Sequence, residues 1–125
     1  MASAGIRMVQ PFNITVTQDT DIRSFRTSLH MPRTIFARLI GRTERALSDW
    51  ETGKKKPQDL GLQRVTELRR LVAALQTLMP ADSVGSWLSA PNNVFGGLKP
   101  LEVIERGETD RLWRMIYELH SGEPA

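Results

Sequence analysis

The chain has 125 residues, 40% of them hydrophobic, and a formal net charge of +3. This length supports one good hydrophobic core or two small ones, and no apolar run approaches the length of a membrane-spanning helix. The absence of cysteine excludes disulfides and thiolate metal sites, and the two distant histidines, His30 and His120, make a poor zinc site. Because the N-terminus also lacks the apolar stretch of a secretory signal, we expect a cytoplasmic protein without metal or cofactor.

Charge is distributed unevenly along the chain. Residues 21–58 contain nine basic and four acidic residues, whereas residues 97–125 contain four basic and six acidic ones. The basic segment suits contact with nucleic-acid phosphates, and the mildly acidic segment suits a different partner. The composition therefore predicts two functional parts within one chain.

Residues 1–20 are predicted to form an N-terminal arm. Within them, residues 12–17 alternate apolar and polar side chains and are rich in β-branched residues. This stretch fits either a short strand, pairing with its copy in a dimer, or a loose arm, and we expect the arm. The first helix is predicted over about residues 21–30, where apolar residues recur at the helical period.

Residues 32–57 predict two short helices joined by a tight turn. Pro32 suits the first position of a helix, and the apolar residues that follow recur at helical spacing up to Gly41, which suits a left-handed C-terminal position. Thr43 then suits the N-cap of the second helix, and Gly53 its end. Two helices about three residues apart, followed by a cationic loop, are typical of a DNA-binding helix-turn-helix over residues 21–58.

The second helix of this pair has an apolar and a polar face. Leu47 and Trp50 are one turn apart and are expected to point inward. Three lysines follow the helix at the negative end of its dipole. Taken singly, these polar residues also fit an ordinary solvated surface; together, they favour DNA binding. The predicted outer face consists of Glu44, Arg45, Ser48, Asp49 and Thr52.

The segment from Phe25 to Pro57 resembles the Xre, or lambda-repressor-like, helix-turn-helix family. The residues that carry the resemblance are Phe25-Arg26, Ala37, Gly41, Ser48, Trp50-Glu51, Gly53 and Pro57. The chain departs from the family at the start of the first helix of this pair, where Pro32-Arg33 replaces the usual polar start. The resemblance implies a structural Trp50 and an internal salt bridge between Arg26 and Glu51. It also implies contacts with bases and phosphates by Arg33, Arg42, Thr43, Glu44, Arg45, Ser48, Lys54, Lys55 and Lys56.

Residues 59–80 are predicted to connect the two parts through a long amphipathic helix, over about residues 60–79, that ends at Pro80. The apolar residues of this helix also repeat by three and four, as in a coiled coil. Such a seam fits packing within one chain or between two chains, and its short length favours the first. The seam residues are Val65, Leu68, Val72, Leu75 and Met79.

Residues 81–125 predict a compact unit of short helices with a turn-rich connection. A helix is expected over about residues 81–89, a second from Pro100 to Gly107, and a final one over about residues 108–120. The expected core residues of this unit are Trp87, Phe95, Leu112, Ile116 and Leu119, with Met115 and Tyr117 at the flanks of the final helix.

Residues 81–122 resemble the C-terminal toxin-binding domain of the Xre/MbcA/ParS antitoxins. The resemblance is carried, in order, by Trp87-Leu88, Pro91-Asn92, Phe95-x-Gly97, Pro100-Leu101-Glu102-Val103-Ile104, Gly107 and Gly122. In that family an Xre-type helix-turn-helix commonly precedes this domain, as it does here. The resemblance implies an all-α fold in which a lambda-repressor-like helix-turn-helix bundle is followed by a small helical toxin-binding domain, with Trp87 and Pro100 as structural residues.

The same resemblance implies a bacterial cytoplasmic type II antitoxin that forms a homodimer and binds operator DNA. Its cognate toxin would be a RES-type enzyme that consumes NAD, or a related ADP-ribosyltransferase-like enzyme. The final helix and the tail would cover the entrance to the toxin's active site. The alternative is a stand-alone Xre-type repressor with a C-terminal dimerisation domain. The implied toxin contacts are Arg111, Trp113, Arg114, Glu118, Gly122 and Glu123.

An enzymatic role has little support in the sequence. The carboxylate clusters are the pair Glu102 and Glu105 and the pair Glu108 and Asp110, and neither has a base, nucleophile or metal ligand beside it in the sequence. The segment 96–99 lacks the spacing of a phosphate-binding loop. We therefore expect a binding protein and no catalytic residue.

Overall fold

The computed structural model describes residues 19–122, which fold into seven α-helices and one short 3-10 turn. The predicted all-α class is confirmed. Each helix between residues 19 and 122 is too short or too polar to span a lipid bilayer. Residues 12–17, for which an arm or a strand was expected, lie outside the described range. The helices are α1 Asp19–Ser28, α2 Arg33–Leu39, α3 Glu44–Thr52, α4 Asp59–Leu75, α5 Ala81–Leu88, α6 Pro100–Glu105 and α7 Thr109–Ser121, and the 3-10 turn is Asn93–Phe95.

Several boundaries in the first half differ from the prediction. Helix α1 begins at Asp19, inside the predicted N-terminal arm, rather than at about residue 21. Helix α1 ends at Ser28 rather than at residue 30, because His30 has a left-handed φ of 56°. Pro32 is the extended N-cap of α2, so Arg33 and not Pro32 is its first residue. Gly41 has the predicted left-handed conformation, with a φ of 66°. The turn between α2 and α3 is therefore as tight as the sequence predicted.

Helix α4 ends at Leu75, before the predicted end at residue 79. The N–H groups of Thr77 and Leu78 donate to carbonyls three residues back, which winds the chain into turns. Pro80 further disfavours helical geometry at Met79. The predicted seam faces the interior of the same chain, as expected, with Val65, Leu68, Val72 and Leu75 buried and Met79 half-buried.

One hydrophobic core runs through both predicted parts of the chain. It includes Phe36 of α2, Leu47 of α3 and Leu71 of α4, together with Val103 of α6 and Leu112 of α7. Helix α2 packs on α6, and α4 packs on α7. Because α6 and α7 bury apolar side chains against the first half, residues 19–122 contain one core and not two small ones.

Close contact between α5 and the end of α1 depends on Gly85. A Cβ atom on Gly85 would lie 2.1 Å from the carbonyl oxygen of Leu29, a separation that no side chain tolerates. Farther along, the ring of Trp87 meets the ring of Phe95 edge to face, with centroids 6.4 Å apart. Pro100 begins α6 and is buried, as expected for a structural residue. These contacts anchor the turn-rich connection on the shared core.

Candidate functional surfaces

Helix α3 is fixed by a cap at each end and by its apolar face. The Thr43 hydroxyl oxygen accepts a hydrogen bond from the Ala46 N–H at 3.0 Å. Gly53 ends the helix with a φ of 84°, the left-handed conformation that glycine adopts without a Cβ clash. Leu47 and Trp50 are 0% and 7% exposed, as predicted. The caps and the buried face together determine which side of α3 meets the solvent.

The N-cap and the solvent side of α3 carry four of the nine residues that were predicted to bind DNA. Arg42 precedes the helix and leans towards α4, since its Nε lies 3.2 Å from the position that a Cβ on Gly61 would take. The remaining residues occupy the N-cap and the first turns of one helix, so their side chains share one arc. Thr43, Glu44 and Arg45 are exposed, and Arg42 and Ser48 are half-buried.

A loop of three exposed lysines follows α3. The backbone N–H groups of Lys54 and Lys55 donate to the Asp49 carbonyl oxygen at 2.9 and 3.2 Å, so the loop folds back on the last turn of the helix. The side chains of Lys54, Lys55 and Lys56 are exposed. Cations at this end of a helix are stabilised by its dipole, and their charge suits the phosphates of a duplex.

Glu51, in the last turn of α3, lies at the centre of an arginine cluster. Its carboxylate accepts hydrogen bonds from Nε and Nη2 of Arg26 at 2.6 and 3.0 Å, so the expected internal salt bridge is present. Arg33 Nε donates to Oε1 at 3.0 Å, and Arg23 Nε lies 3.5 Å from the same oxygen. Arg33, which was expected at the DNA, is thus held by Glu51 while 40% of its side chain stays exposed.

Arg23 was not predicted to belong to this cluster. Arg23 precedes Arg26 by three positions on α1, a spacing that places two side chains on the same face of a helix. This spacing is the sequence feature from which the membership of Arg23 in the cluster could have been predicted. The Arg23 side chain is 48% exposed, so the cluster presents two partly exposed arginines, Arg23 and Arg33, around Glu51 in the last turn of α3.

The surroundings of Glu51 keep its carboxylate charged. Burial of the side chain, which is 0% exposed, acts to raise the pKa of Glu51. Hydrogen bonds from Arg26 and Arg33 and the charges of these arginines act in the opposite direction and together outweigh burial. The pKa of Glu51 therefore lies below its ordinary value.

Helix α7 carries the residues that were predicted to contact a toxin, and the structure places them on two flanks. Trp113 lies on one flank and lines a cavity against α4. Gly122 ends the helix with a φ of 74°, and Glu123 lies outside the described range. A groove of about 240 Å³ on the other flank is lined by Arg111, Arg114, Glu118, Val94, Phe95 and Met115.

The cavity beside Trp113, here called the junction cavity, lies where α2 and α4 meet α6 and α7. Its volume is about 240 Å³. Its floor is formed by aliphatic core residues, and its rim carries two exposed charged residues of α4. Trp113, which is half-buried, forms one side of the cavity. The lining residues are Leu39, Arg64, Glu67, Leu68, Leu71, Ile104, Gly107, Thr109 and Trp113.

Local ion pairs orient the arginines of α7. Arg111 Nη1 donates to Glu108 Oε1 at 3.0 Å, and the Arg111 guanidinium lies 5.6 Å from the centroid of the Phe95 ring. Arg114 Nη2 lies 3.6 Å from the Asp110 carboxylate. Exposed pairs of this kind contribute little to stability, so a partner can exchange them for its own charges.

Two predictions about α7 are wrong. Leu119, expected in the core, is 58% exposed, and Met115, expected at a flank, is only 9% exposed. Leu119 shares a helix face with Leu112, but the hydrophobic core ends before the last turn of α7. Helical periodicity alone therefore predicted a core position for a residue that lies beyond the core. Tyr117 is 71% exposed at its predicted flank. Val94, 62% exposed beside a buried aromatic, was not identified from the sequence.

The acidic residues that the sequence set aside as non-catalytic have structural partners. Glu105 accepts two hydrogen bonds from Arg38, and Glu102 Oε1 accepts the Lys99 N–H at 2.8 Å, at the start of α6. In residues 19–122, histidine, aspartate and glutamate form no group suited to a metal ion. The Glu102 contact is therefore local, whereas the Glu105 contact links α6 to α2.

Comparisons with known proteins relate the chain to mycobacterial antitoxins. No sequence-family profile matches it. Mycobacterial cidal antitoxin MbcA of Mycobacterium tuberculosis (strain H37Rv) is 29% identical over 84 residues, covering 67% of this chain and 74% of MbcA, and MbcA of Mycobacterium bovis gives the same values. A probable mycobacterial cidal antitoxin of M. tuberculosis is 31% identical over 70 residues, 56% of this chain and 59% of that protein.

A solved structure shares the fold. One chain of the crystal structure of the M. tuberculosis MbcT-MbcA toxin-antitoxin complex matches with a TM-score of 0.67 and 23% sequence identity. The match covers 86% of this chain and 96% of that one. The chain is thus homologous to the MbcA antitoxins in sequence, and its fold occurs within a toxin-antitoxin complex.

Proposed function

We propose that this chain is the antitoxin of a type II toxin-antitoxin system, which binds and neutralises a cognate toxin and binds operator DNA to regulate its own genes. The observation that carries the proposal is the similarity to the MbcA antitoxins over 84 residues. The fold shared with a chain of a toxin-antitoxin complex supports it. The organisation into a helix-turn-helix over residues 21–58 and a toxin-binding segment over residues 81–125 is part of the proposal.

The toxin in this proposal is a RES-type enzyme that consumes NAD, or an ADP-ribosyltransferase-like enzyme, and it binds to α7. Support comes from the exposed surface of this helix, where Tyr117 is 71% exposed and Arg114 is exposed next to it. Aromatic residues and arginine are the commonest anchors of protein interfaces. Neutralisation works by covering the entrance to the toxin's active site, so it requires no catalytic group in the antitoxin.

Operator binding is assigned to α3 and the lysine loop. The exposed Arg45 and its neighbours lie in the N-terminal half of α3, the part of a recognition helix that reaches base edges in the major groove. The three lysines neutralise phosphates at the other end of the same helix. A homodimer places two copies of α3 in successive major grooves, about 34 Å apart on the duplex.

Co-expression of the full-length chain with the product of its adjacent gene tests the toxin assignment. We expect a purified complex, and relief of the growth inhibition that the adjacent gene causes alone. The double variant Arg114→Glu/Tyr117→Ala should weaken the complex about tenfold or more, because it removes an interface anchor and reverses a charge. Its affinity for promoter DNA should stay within about twofold, because operator binding is assigned to α3.

A truncated chain does not suit this test. Removal of α5 to α7 would expose the apolar residues of α2 and α4 that belong to the shared core. If the full-length chain forms no complex with the adjacent gene product but still binds its own promoter, the alternative function, a stand-alone Xre-type repressor with a C-terminal dimerisation domain, replaces the antitoxin proposal.

A further inference from the structure

We propose that the junction cavity is the anchor pocket for the toxin, receiving one bulky apolar side chain of the toxin beside Trp113 while a neighbouring toxin carboxylate pairs with Arg64. This inference rests on the proposed function and deepens it, because it names the chemistry of the toxin's contact. It also adds residues of α4 to an interface that was otherwise assigned to α7 and the C-terminal tail.

The size and the floor of the cavity fit a single side chain. Its volume of about 240 Å³ is below the roughly 300–1,000 Å³ of pockets that hold cofactors and drug-sized ligands. Its floor is made of four residues of the hydrophobic core: Leu39, Leu68, Leu71 and Ile104. An apolar side chain that enters the cavity would therefore continue the core, as anchor residues do at the centre of stable interfaces.

The wall of the cavity joins it to the surface of α7 that is proposed to meet the toxin. Trp113 lines the cavity half-buried, and Tyr117 follows it by four positions on the same helix, where it is 71% exposed. Side chains four positions apart are neighbours on a helix. A partner on the outer surface of α7 would thus cover Tyr117 and reach the cavity with one continuous contact.

The rim of the cavity determines the polarity of the occupant. Arg64 and Glu67 are exposed, and neither forms an ion pair within residues 19–122. The Arg64 guanidinium lies over the turn of the helix-turn-helix, since its Nη1 is 2.5 Å from the position that a Cβ on Gly41 would take. A carboxylate at the mouth of the cavity would meet Arg64, and a cation would meet Glu67, so the toxin segment should carry both signs of charge around its apolar residue.

The experiment uses the full-length chain and the purified product of its adjacent gene, with the dissociation constant measured by calorimetry. Thr109→Phe fills the cavity from the start of α7, and Thr66→Phe places the same side chain on the exposed face of α4, outside the cavity. We expect Thr109→Phe to weaken toxin binding about tenfold or more, and Thr66→Phe to change it by less than about twofold.

A second variant tests the rim and does not depend on tolerance of a larger residue in the cavity. Arg64→Glu, at an exposed position, should weaken toxin binding at least about fivefold and reduce its dependence on salt, since an attraction becomes a repulsion. Circular dichroism and the urea midpoint of each variant verify that the fold is retained.

The outcomes are distinguishable. Equal toxin affinity of Thr109→Phe, Thr66→Phe and Arg64→Glu overturns the anchor pocket and leaves the antitoxin proposal standing. A loss of self-association in Thr109→Phe, measured by light scattering, with unchanged toxin affinity would assign the cavity to a second copy and also overturns the inference. The absence of any complex with the wild-type chain overturns the proposed function itself.

Discussion

Arg38 of α2 and Glu105 of α6 join the two halves of the chain through two hydrogen bonds, from Nε to Oε2 at 2.6 Å and from Nη2 to Oε1 at 3.1 Å. The Glu105 carboxylate raises the pKa of Arg38 above its ordinary value, through these hydrogen bonds and through its charge. The Arg38 side chain is 57% exposed and that of Glu105 is 23% exposed. The pair therefore links α6 to α2 at the surface of the molecule and not in the hydrophobic core.

Charge reversal at this pair should lower stability only slightly. We expect Arg38→Glu and Glu105→Arg each to lower the urea midpoint of unfolding, and the double reversal to recover most of the loss because the ion pair is restored. The recovery should disappear at 1 M salt, where the screening length falls to about 3 Å. Additive losses in the double variant at low salt would contradict a direct interaction.

Glu51 should be among the most sensitive positions for stability. Replacement by Gln keeps the shape of the side chain and removes the negative charge that Arg26, Arg33 and Arg23 surround. Breaking a buried ion pair in this way should lower the free energy of unfolding at pH 7 by about 3 kcal/mol. Urea denaturation followed by circular dichroism measures this loss, with Glu44→Gln on the exposed start of α3 as the matched control.

The same carboxylate should make stability depend on acid. Because the pKa of Glu51 is lowered in the folded state, the folded chain binds the Glu51 proton less readily than the unfolded chain. Its contribution is fully present above the unfolded pKa, near 4.5, and is lost as the pH falls through the lower folded value. The difference in unfolding free energy between the wild type and Glu51→Gln should therefore shrink below pH 4.5. A constant difference down to pH 2 would contradict the assignment.

The proposed DNA contacts should divide into two kinds. Arg45→Ala should cost about 1–3 kcal/mol on the operator and relax the preference for it over random duplex, because a base contact is lost. Lys55→Ala should weaken binding to all sequences alike and reduce the salt slope by about 1. Fluorescence anisotropy over a series of salt concentrations separates the two, with Arg70→Ala on the exposed side of α4 as control. Identical effects of the first two variants would refute the division of roles.

Gly85→Ala should be strongly destabilising despite its small size. The added methyl group would clash with the backbone of Leu29, which cannot move away as a flexible side chain does. Overpacking of this kind costs about 1–3 kcal/mol. The neighbouring Ser86→Ala, at an exposed position of the same helix, should change the urea midpoint little. Equal stability of the two variants would mean that α5 is not seated tightly on the end of α1.

Features that depend on nearby residues were predictable from the sequence, and features that depend on distant ones were not. Thr43 and Gly53 delimit α3 because capping is a matter of a few adjacent backbone groups. Leu119 was misplaced because its exposure depends on where the core ends, and helix periodicity carries no such information. The ion pair between Arg38 and Glu105 was not predicted for the same reason, since the two residues are 67 positions apart.

Among the candidate site residues, the polar arc of α3 was predictable from the sequence because all of its residues lie on one helix. It did not separate Trp113 from Arg111 and Arg114, which lie on different flanks of α7 beside different cavities. The flank that a residue occupies depends on which neighbouring helix packs there, and α4 is distant in sequence. Val94 remained unidentified because exposure in an irregular turn follows no period.

The shared core has a consequence for how such a protein diversifies. A chimaera that joins the first four helices of this chain to the last three of a relative would bring together mismatched surfaces where α2 meets α6 and α4 meets α7. Exchange of the first four or the last three helices between relatives should therefore give unstable chimaeric proteins. In the proposed function, new operators and new toxins would be reached more easily by substitutions on the exposed faces of α3 and α7, which change without disturbing the interior.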